Sequence, residues 1–284
     1  MNGIILLNKE PGMTSQTAVT IVKRLLHVSK VGHAGTLDPM ATGLLVILLG
    51  DATKISDYLL HDDKTYDCEI ILGEATTTED NTGDIVEKKE VNEISQVDEV
   101  LHSLIGPIKQ VPPMYSSVHH QGRKLYQFAR ENVIVERSER DAVIHEIKRT
   151  SSVLVDDGKA HFYFQARVSK GTYLRTLCVE IGKRLQLPAH MGNLKRIQSG
   201  DYHLKDAFTL SQIEKNDYQL ISVLEALKRF PIYHLSQAEF NAVDNGHPIA
   251  LDHSSDLLVL AWKNEIKAIY EKTENIYKAK RVWK

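Results

Sequence analysis

Short apolar runs separated by polar, turn-rich stretches form the pattern of the N-terminal part of the chain. Residues 3–8 (GIILLN) and residues 44–49 (LLVILL) each have the length of one buried strand. Between them, apolar residues recur at helical spacing up to about His27, and either Thr14 or Ser15 is placed to cap that helix. The pattern therefore predicts a strand, a helix, a polar loop over residues 30–43 and a second strand.

The middle of the chain mixes strands with amphipathic helices. The predicted elements are, in order, a strand at 64–73, a helix at 94–105, a hairpin at 153–168 and a helix at 172–187. Gly106 and Pro107 end the first of these helices, and Thr172 is placed to cap the second. The Asp-Asp-Gly step at 156–158 is a typical hairpin turn.

The pattern changes again near the C-terminus. Short helices are predicted after residue 210, and strand-like runs follow at 257–262 and 266–270. Pro231 and Ile232 mark the predicted boundary between a large domain, residues 1–231, and a small β-rich domain, residues 232–284. Because strands and helices alternate without a regular βαβ order, the predicted fold class is α+β.

Composition and charge narrow the function classes. The 284 residues are 42% hydrophobic and 25% charged, with a formal net charge of −2, as in an ordinary globular protein. No apolar run approaches the roughly 18 residues of a membrane span. The N-terminus lacks the basic segment of a secretory signal, so a cytoplasmic location is expected. The slightly negative net charge disfavours a nucleic-acid partner. Basic pairs such as Lys195/Arg196 recur, however, and the local distribution of charge matters more than the net charge.

The loop over residues 30–43 (KVGHAGTLDPMATG) concentrates the candidate chemistry. It carries an imidazole, His33, a carboxylate, Asp38, and three glycines that permit unusual backbone shapes. Asp38 precedes a proline and is therefore biased away from helix. A simple turn, in which Asp38 bonds its own backbone, is the alternative interpretation.

Five strings resemble the TruB-type tRNA pseudouridine synthases in the right order and cover most of residues 3–200. HAGTLDPMATG resembles the catalytic signature of that family, with Asp38 at the position of the catalytic aspartate. The other four strings are LLNKEPGMTS, KTYDCEIILG with the following TTTED, PPMYSSVHHQGRKLYQFAR, and KGTYLRTLCVEIG.

The resemblance implies a fold, a reaction and a partner. The fold is a mixed, mostly antiparallel sheet with flanking helices and a central cleft, followed by a small PUA-like RNA-binding domain. The reaction is conversion of uridine 55 in the T arm of tRNA to pseudouridine, by base flipping, cleavage of the N-glycosidic bond and re-attachment through C5. It implies no cofactor, no metal, no membrane and no protein partner, and a monomer that binds the T-arm stem-loop of tRNA.

The resemblance also assigns roles to individual residues. Asp38 is the catalytic residue, and a nucleophile role and a base role both stay open. The expected substrate contacts come from five residues. His33 fills the gap left by the everted nucleotide, Tyr66 stacks on the uracil, and Tyr173 and Leu194 shape the pocket. Arg175 pairs with Asp38 through a bidentate guanidinium. Lys9 and Pro11 are expected to pack under the catalytic loop. The chain departs from the usual family residues at Thr77, Ser117, His119 and Ile197.

An arginine in the first turn of a helix is itself informative. The helix dipole disfavours a cation there, so Arg175 is expected to pair with a carboxylate or a phosphate. This inference needs no family resemblance, but it does not identify the partner, and an arginine exposed on the surface is the alternative interpretation. Only the resemblance assigns Asp38 as the partner.

Three other functions remain open on the residues alone. A glycosidase or N-glycosylase would use Asp38 with a second carboxylate about 5 Å away, from Glu69, Glu74 or Asp80. A noncatalytic RNA-binding module would not need Asp38 at all. A metal hydrolase using His33 and Asp38 lacks an evident third ligand.

Overall fold

The computed structural model describes residues 1–131 and 133–284. Its strands, numbered in chain order, are β1 (Gly3–Lys9), β2 (Val31–Ala34), β3 (Thr42–Leu49), β4 (Lys64–Leu72), β5 (Glu74–Thr76), β6 (Ile85–Lys88), β7 (Gly106–Gln110), β8 (His119–His120), β9 (Arg123–Lys124), β10 (Arg140–Arg149), β11 (Leu154–Asp156), β12 (Lys159–Val168), β13 (Ala189–Ser199), β14 (Tyr202–His203), β15 (Ile232–His234), β16 (Leu257–Trp262), β17 (Glu265–Thr273) and β18 (Ile276–Val282). The α-helices are α1 (Ser15–Leu25), α2 (Ser56–Leu60), α3 (Val97–His102), α4 (Leu125–Arg130), α5 (Leu174–Arg184), α6 (Leu210–Glu214), α7 (Val223–Ala226) and α8 (Gln237–Asp244), with 3₁₀ turns at Gly50–Ile55 and Leu204–Asp206.

A ten-stranded sheet organises the large part of the molecule. Its main path runs β1-β3-β13-β4-β12-β10-β7, and β2, β11 and β14 pair beside it. All of its ladders are antiparallel except the short parallel contact of β13 with β3, which pairs Lys195 with Thr42 and Arg196 with Gly43. The predicted class, α+β with a mixed and mostly antiparallel sheet, is confirmed.

Strand β13 is central to this sheet, yet the hydrophobic pattern does not predict it. Its register against β4 shifts between Met191 and Leu194, and again after Arg196, so the alternation of faces is interrupted. Its first four residues are all buried, and the buried Arg196 interrupts the apolar pattern later in the strand. A period-two pattern is lost where a strand carries irregularities and is covered on both faces.

Other element boundaries also differ from the prediction. The predicted helix at 94–105 is only α3, and β7 follows it directly because Gly106 and Pro107 enter the sheet edge. Thr14 caps α1, whereas Ser15 is the first helical residue. Tyr173, not Thr172, is the N-cap of α5, since the Thr172 hydroxyl donates to the Ser169 carbonyl at 2.9 Å.

The two faces of the sheet pack against different partners. Helices α1, α3 and α5 cover one face and form a core with β3, β4 and β12. On β1 and β3, residues of the opposite face pack with the C-terminal sheet β15-β16-β17-β18 through Ile4, Leu48, Val259, Ile269 and Trp283. The C-terminal strands therefore share a core with the larger sheet. No helix in the described ranges combines the length and apolarity needed to cross a membrane.

Gly43 lies against the backbone of β13, and this close contact allows a stability prediction. Its φ is +96°, and a Cβ there would lie 2.3 Å from the Arg196 carbonyl oxygen. We expect Gly43→Ala to lower the free energy of unfolding by more than about 1 kcal/mol, because alanine is strained at a positive φ and its methyl group has no space. Urea unfolding measures this effect.

Gly122→Ala is the matched control. Gly122 also has a positive φ, +81°, but nothing lies within 4 Å of its added Cβ. The cost at Gly43 should exceed the cost at Gly122, and equal costs would mean that the contact with β13 is unimportant.

Candidate active site

The catalytic loop, residues 35–41, joins β2 to β3 and carries Asp38 near its middle. Ser15, at the start of α1, fixes the loop by two bonds: its hydroxyl donates to the Leu37 carbonyl at 3.1 Å and accepts from the Leu37 amide at 2.8 Å. The sequence suggested Ser15 only as a helix cap. Because its partner lies 22 residues further along the chain, no local pattern could reveal this role.

Lys9 holds the same loop from below. Its side chain is 1% exposed, and its ammonium donates to the carbonyls of Glu10, Met13 and Pro39 at 2.8, 2.8 and 3.0 Å. Burial lowers the pKa of Lys9 to about 8, while the negative charge of Asp38 opposes this shift. Pro11 lies at the edge of the adjacent cavity. Lys9 thus supports the residue that follows Asp38.

Arg175 lies directly against Asp38. Its guanidinium Nη2 is 3.1 Å from the Asp38 Oδ2, and only 5% of the arginine side chain is exposed. The same Nη2 donates to the Tyr115 carbonyl at 2.8 Å, and Nη1 donates to the Thr78 carbonyl at 3.4 Å. The expected two-bond fork on Asp38 is therefore wrong, because the guanidinium divides its N–H groups among several acceptors.

Asp80 is a second carboxylate on this guanidinium, with Oδ2 3.8 Å from Arg175 Nη1. The other Asp80 oxygen accepts from the Thr78 hydroxyl at 2.7 Å and from the Thr82 amide at 3.0 Å. These bonds orient Asp80 within the β5–β6 hairpin loop. In the sequence, Asp80 was one of three candidates for a second carboxylate in the glycosidase alternative, and nothing local distinguished it from Glu69 or Glu74.

The electrostatics of Asp38 combine opposing effects. Burial raises the pKa of Asp38 above its usual value, the charge of Arg175 lowers it, that of Asp80 raises it and that of Lys9 lowers it. The net direction is upward. The side chain nevertheless keeps 39% of its surface open to the cleft. A carboxylate that is held in place, partly desolvated and still accessible can act as a nucleophile or a base.

Two cavities meet at Asp38 and Arg175. The larger, of about 1210 Å³, runs over β4, β12 and β13 and includes Asp80 in its wall. The smaller, of about 710 Å³, is bordered by Tyr66, Tyr173 and Leu194. Four of the predicted substrate-contact residues, counting Arg175, thus surround the second cavity together with Asp38.

His33 differs from its predicted position. It lies on β2 rather than in a loop, and it is not among the described residues that line either cavity. Its Nδ1 is buried without a hydrogen-bond partner in the described part of the chain. Burial and the positive charge of Arg196 lower the pKa of His33, so the neutral imidazole is favoured.

Gln110 holds Tyr173 in place and was not predicted. Its side chain accepts from the Tyr173 amide at 2.9 Å and donates to the Tyr173 carbonyl at 3.2 Å. This bridge from β7 fixes the residue that precedes α5, so Arg175 starts from a defined position. Burial raises the pKa of the Tyr173 hydroxyl.

Comparisons with known proteins agree with this arrangement. A model of the TruB family pseudouridylate synthase N-terminal domain matches residues 23–174, and a model of the tRNA pseudouridylate synthase B C-terminal domain matches residues 175–229. The chain belongs to the TruB family. The family boundary between the two models falls at Arg175, so both matched regions contribute to the site.

Relatives within the TruB family match most of the chain. A protein of Streptococcus sanguinis named tRNA pseudouridine synthase B is 41% identical over 291 aligned positions, covering all of both chains. A protein of the same name from Bacillus pumilus is 46% identical over 255 positions, which cover 87% of this chain and 82% of that protein. The lengths of these TruB relatives and of this chain therefore correspond closely.

A solved structure shares the TruB fold at low sequence identity. It is titled as an H/ACA RNP bound to a substrate RNA containing 2′-deoxyuridine, and it matches with a TM-score of 0.71 at 22% identity. The match covers 99% of this chain and 85% of that one. The pseudouridine synthase fold is thereby confirmed, including the C-terminal β structure.

Two of the four positions at which this TruB chain was expected to depart from the usual family residues border a cavity. Ser117 and His119 border the smaller cavity, and the Thr77 hydroxyl accepts from the Asp84 amide at 3.2 Å. Thr77 thus closes the β5–β6 loop instead of supplying a third carboxylate. The described residues contain no group of three or more His, Cys, Asp and Glu side chains that could hold a metal ion.

Asp80 allows a prediction about the pH profile of this TruB site. We expect Asp80→Asn to shift the rising, acid limb of the turnover rate to lower pH, because the Asp80 charge raises the pKa of Asp38. We also expect a loss of about 10-fold at the optimum, since Arg175 loses one of its two carboxylate partners. Single-turnover rates between pH 5 and 8 measure both effects.

Asp84→Asn, an exposed carboxylate on the same hairpin loop, is the control for this experiment. Its profile should match that of the unchanged protein. An acid limb that stays in place in Asp80→Asn would show that Asp80 and Asp38 are not electrostatically coupled.

Proposed function

We propose that this chain is a tRNA pseudouridine synthase that converts uridine 55 in the T arm of tRNA to pseudouridine. The observation that best supports this proposal is the ion pair of Asp38 with the buried Arg175. This pair lies at the edge of a cavity bordered by Tyr66, Tyr173 and Leu194. The names of its full-length TruB relatives support the same activity.

The proposed reaction requires no net redox change. The bond between uracil N1 and C1′ breaks, the base turns, and C5 bonds to C1′. The hydrogen on C5 leaves as a proton and N1 takes up a proton, so the mass of the RNA does not change. Asp38 serves either as the nucleophile that attacks the nucleoside or as the base that takes a sugar proton. Arg175 holds Asp38 by charge, and its other acceptors fix the plane of the guanidinium.

The remaining residues handle the target nucleotide. The target base must leave the stack, at a cost of a few kcal/mol, and it then needs a pocket. Tyr66 stacks on the uracil, and Tyr173 and Leu194 close the pocket. His33 fills the gap that the nucleotide leaves. Because His33 lies on β2, the bound RNA must come close to that strand. Lys9 and Pro11 support the catalytic loop.

We also propose the domain roles and setting. Residues 1–231 form the catalytic domain, and residues 232–284 form a small PUA-like RNA-binding domain that acts while packed on β1 and β3. The enzyme works as a monomer in the bacterial cytoplasm, where its tRNA substrate is found, and needs no protein partner and no cofactor.

One experiment tests the activity. The protein is incubated with unmodified tRNA transcript, without added metal or nucleotide, and modified positions are mapped chemically. We expect pseudouridine at position 55 alone, with the RNA mass unchanged. Free uracil would instead favour an N-glycosylase that uses Asp38 and Asp80, and binding without any modification would favour a noncatalytic RNA-binding module.

A further inference from the structure

Arg196 is a positively charged side chain that is almost completely buried, which is unusual for an arginine. It is 1% exposed, the largest of the fully buried side chains, and it lies on β13 two residues after Leu194. In the described ranges it forms no ion pair with Asp or Glu within 4.0 Å. An arginine buried without a carboxylate is costly, so its hydrogen-bond partners indicate what it does.

Those partners lie at the two ends of the catalytic loop. The Arg196 Nη2 donates to the carbonyl of Gly35, the first loop residue, at 3.0 Å. Its Nε donates to the carbonyl of Leu44, just after the loop, at 2.8 Å. One rigid, planar guanidinium therefore joins the entry and the exit of the segment that carries Asp38.

The glycines at these ends fit the same contact. Gly35 has φ +99°, and a Cβ there would come within 3.2 Å of the Arg196 Nη1. At the other end, Gly43 pairs with Arg196 in the short parallel ladder between β3 and β13. The backbone of the loop thus approaches Arg196 closely on both sides.

Arg196 also connects the loop to the wall of the smaller cavity. Strand β13 supplies Leu194 to that wall, and the Thr42 hydroxyl donates to the Leu194 carbonyl at 3.4 Å. A shift of β13 would therefore move the pocket and the carboxylate together, while loss of Arg196 would let the loop move against the pocket.

We infer that Arg196 is a positioning residue that fixes Asp38 relative to the base pocket by holding the two ends of the catalytic loop. The inference rests on the proposed pseudouridine synthase function and adds a residue to it. The sequence grouped Arg196 with surface basic pairs suited to RNA phosphates. Arg196 borders the smaller cavity, but only 1% of its surface is exposed. This burial opposes that interpretation, because a phosphate needs an exposed guanidinium.

The test separates positioning from RNA binding and from stability. Arg196→Met, Arg196→Lys and the unchanged protein are compared on a T-arm stem-loop RNA, with enzyme in excess, for the single-turnover rate. RNA affinity is measured in an Asp38→Asn background, where no turnover interferes. Thermal unfolding of each variant sets a common assay temperature well below every midpoint.

Positioning predicts a specific set of results. The rate of Arg196→Met should fall about 100-fold, since small misplacements of reacting groups have effects of this size, while the dissociation constant changes by less than threefold. Arg196→Lys should recover about 10-fold of that loss, because an ammonium retains the charge and can donate to one of the two carbonyls. If Arg196→Met does not fold, Arg196→Lys alone must still show a slowed rate with unchanged affinity.

Leu48→Ala is the control for stability. Leu48 is a fully buried residue of β3 on the face that packs against the C-terminal sheet, away from Asp38. It should lower the unfolding midpoint and leave the rate at the assay temperature within threefold. Equal losses of rate in Leu48→Ala and Arg196→Met would overturn the inference.

Two further outcomes would also overturn it. A rate in Arg196→Met within threefold of the unchanged protein would show that the bridge does not position Asp38. Affinity weakened more than 10-fold, with a smaller salt dependence and an unchanged rate, would show a phosphate contact instead. Absence of pseudouridine with the unchanged protein would refute the proposed function itself, which keeps the two failures distinct.

Discussion

Asp38→Ala should reduce pseudouridine formation on a T-arm stem-loop by at least about 1,000-fold, because the variant lacks the carboxylate needed as nucleophile or base. RNA affinity should stay within about threefold, since the cavities and their other walls remain. Release of tritium from uridine labelled at C5 measures the reaction directly, because C5 loses its hydrogen when the new bond forms. Equilibrium binding of the same RNA measures the affinity.

The loss should not come from unfolding. The pKa of Asp38 is raised in the folded protein, so the folded protein binds a proton on the Asp38 carboxylate more tightly than the unfolded chain does. As pH rises from the unfolded value of 3.8 through the raised folded value, ionisation of Asp38 therefore reduces stability. At neutral pH, the uncharged variant Asp38→Asn should have an unfolding midpoint equal to or above that of the unchanged protein.

Asp51→Ala is the control for Asp38→Ala. Asp51 lies beyond the far end of β3 and pairs with Lys54 on the surface. Its removal should leave turnover unchanged. Substantial tritium release by Asp38→Ala would assign the chemistry to another group, and Asp80 would be the first candidate because it contacts the same guanidinium.

Arg175→Lys should lower the single-turnover rate by about 100-fold or more, although the charge is conserved. The guanidinium contacts Asp38 and Asp80 and donates to the carbonyls of Thr78 and Tyr115. An ammonium has three donors around one point and cannot reach acceptors on both sides of a planar group. Asp38 would then lose its fixed orientation, and the effect should appear in the rate of the bound complex rather than in RNA affinity.

Arg184→Lys tests whether any arginine of α5 would give this result. Arg184 lies at the other end of the helix, on the surface, and pairs with Glu180. It should tolerate lysine with little change in rate. A near-normal rate in Arg175→Lys would show that charge alone suffices, and the shared guanidinium would then be structural.

Local physical chemistry made part of this site predictable. The helix dipole disfavours a cation in the first turn of α5, and this argument predicted a carboxylate or a phosphate beside Arg175. The structure provides two carboxylates there. The predicted fork on Asp38 was wrong because a fork assumes one partner, and the hairpin that brings Asp80 and Thr78 to the same guanidinium is not visible in the local pattern.

Buried polar side chains were the least predictable component. Lys9, Ser15, Gln110 and Arg196 are all buried. Of the four, only Lys9 was expected to pack inside the protein, and that expectation came from the family resemblance. Each bonds backbone groups that are remote in sequence, namely those of Pro39, Leu37, Tyr173 and Gly35. Strand β13 was missed for a related reason, since its irregular register and its buried arginine remove the alternation that marks a strand.

The sequence by itself determined the α+β class, the strands and helices with regular periodicity, the family, and the chemical groups that the site contains. These follow from local spacing and from contiguous motifs, which a chain carries without being folded. Only the tertiary structure decided that Asp38 shares Arg175 with Asp80, that His33 lies on a strand, and that Arg196 is buried beside the catalytic loop. These arrangements depend on contacts between segments far apart in sequence, whose geometry is set by the packing of β3, β4 and β13 in one sheet.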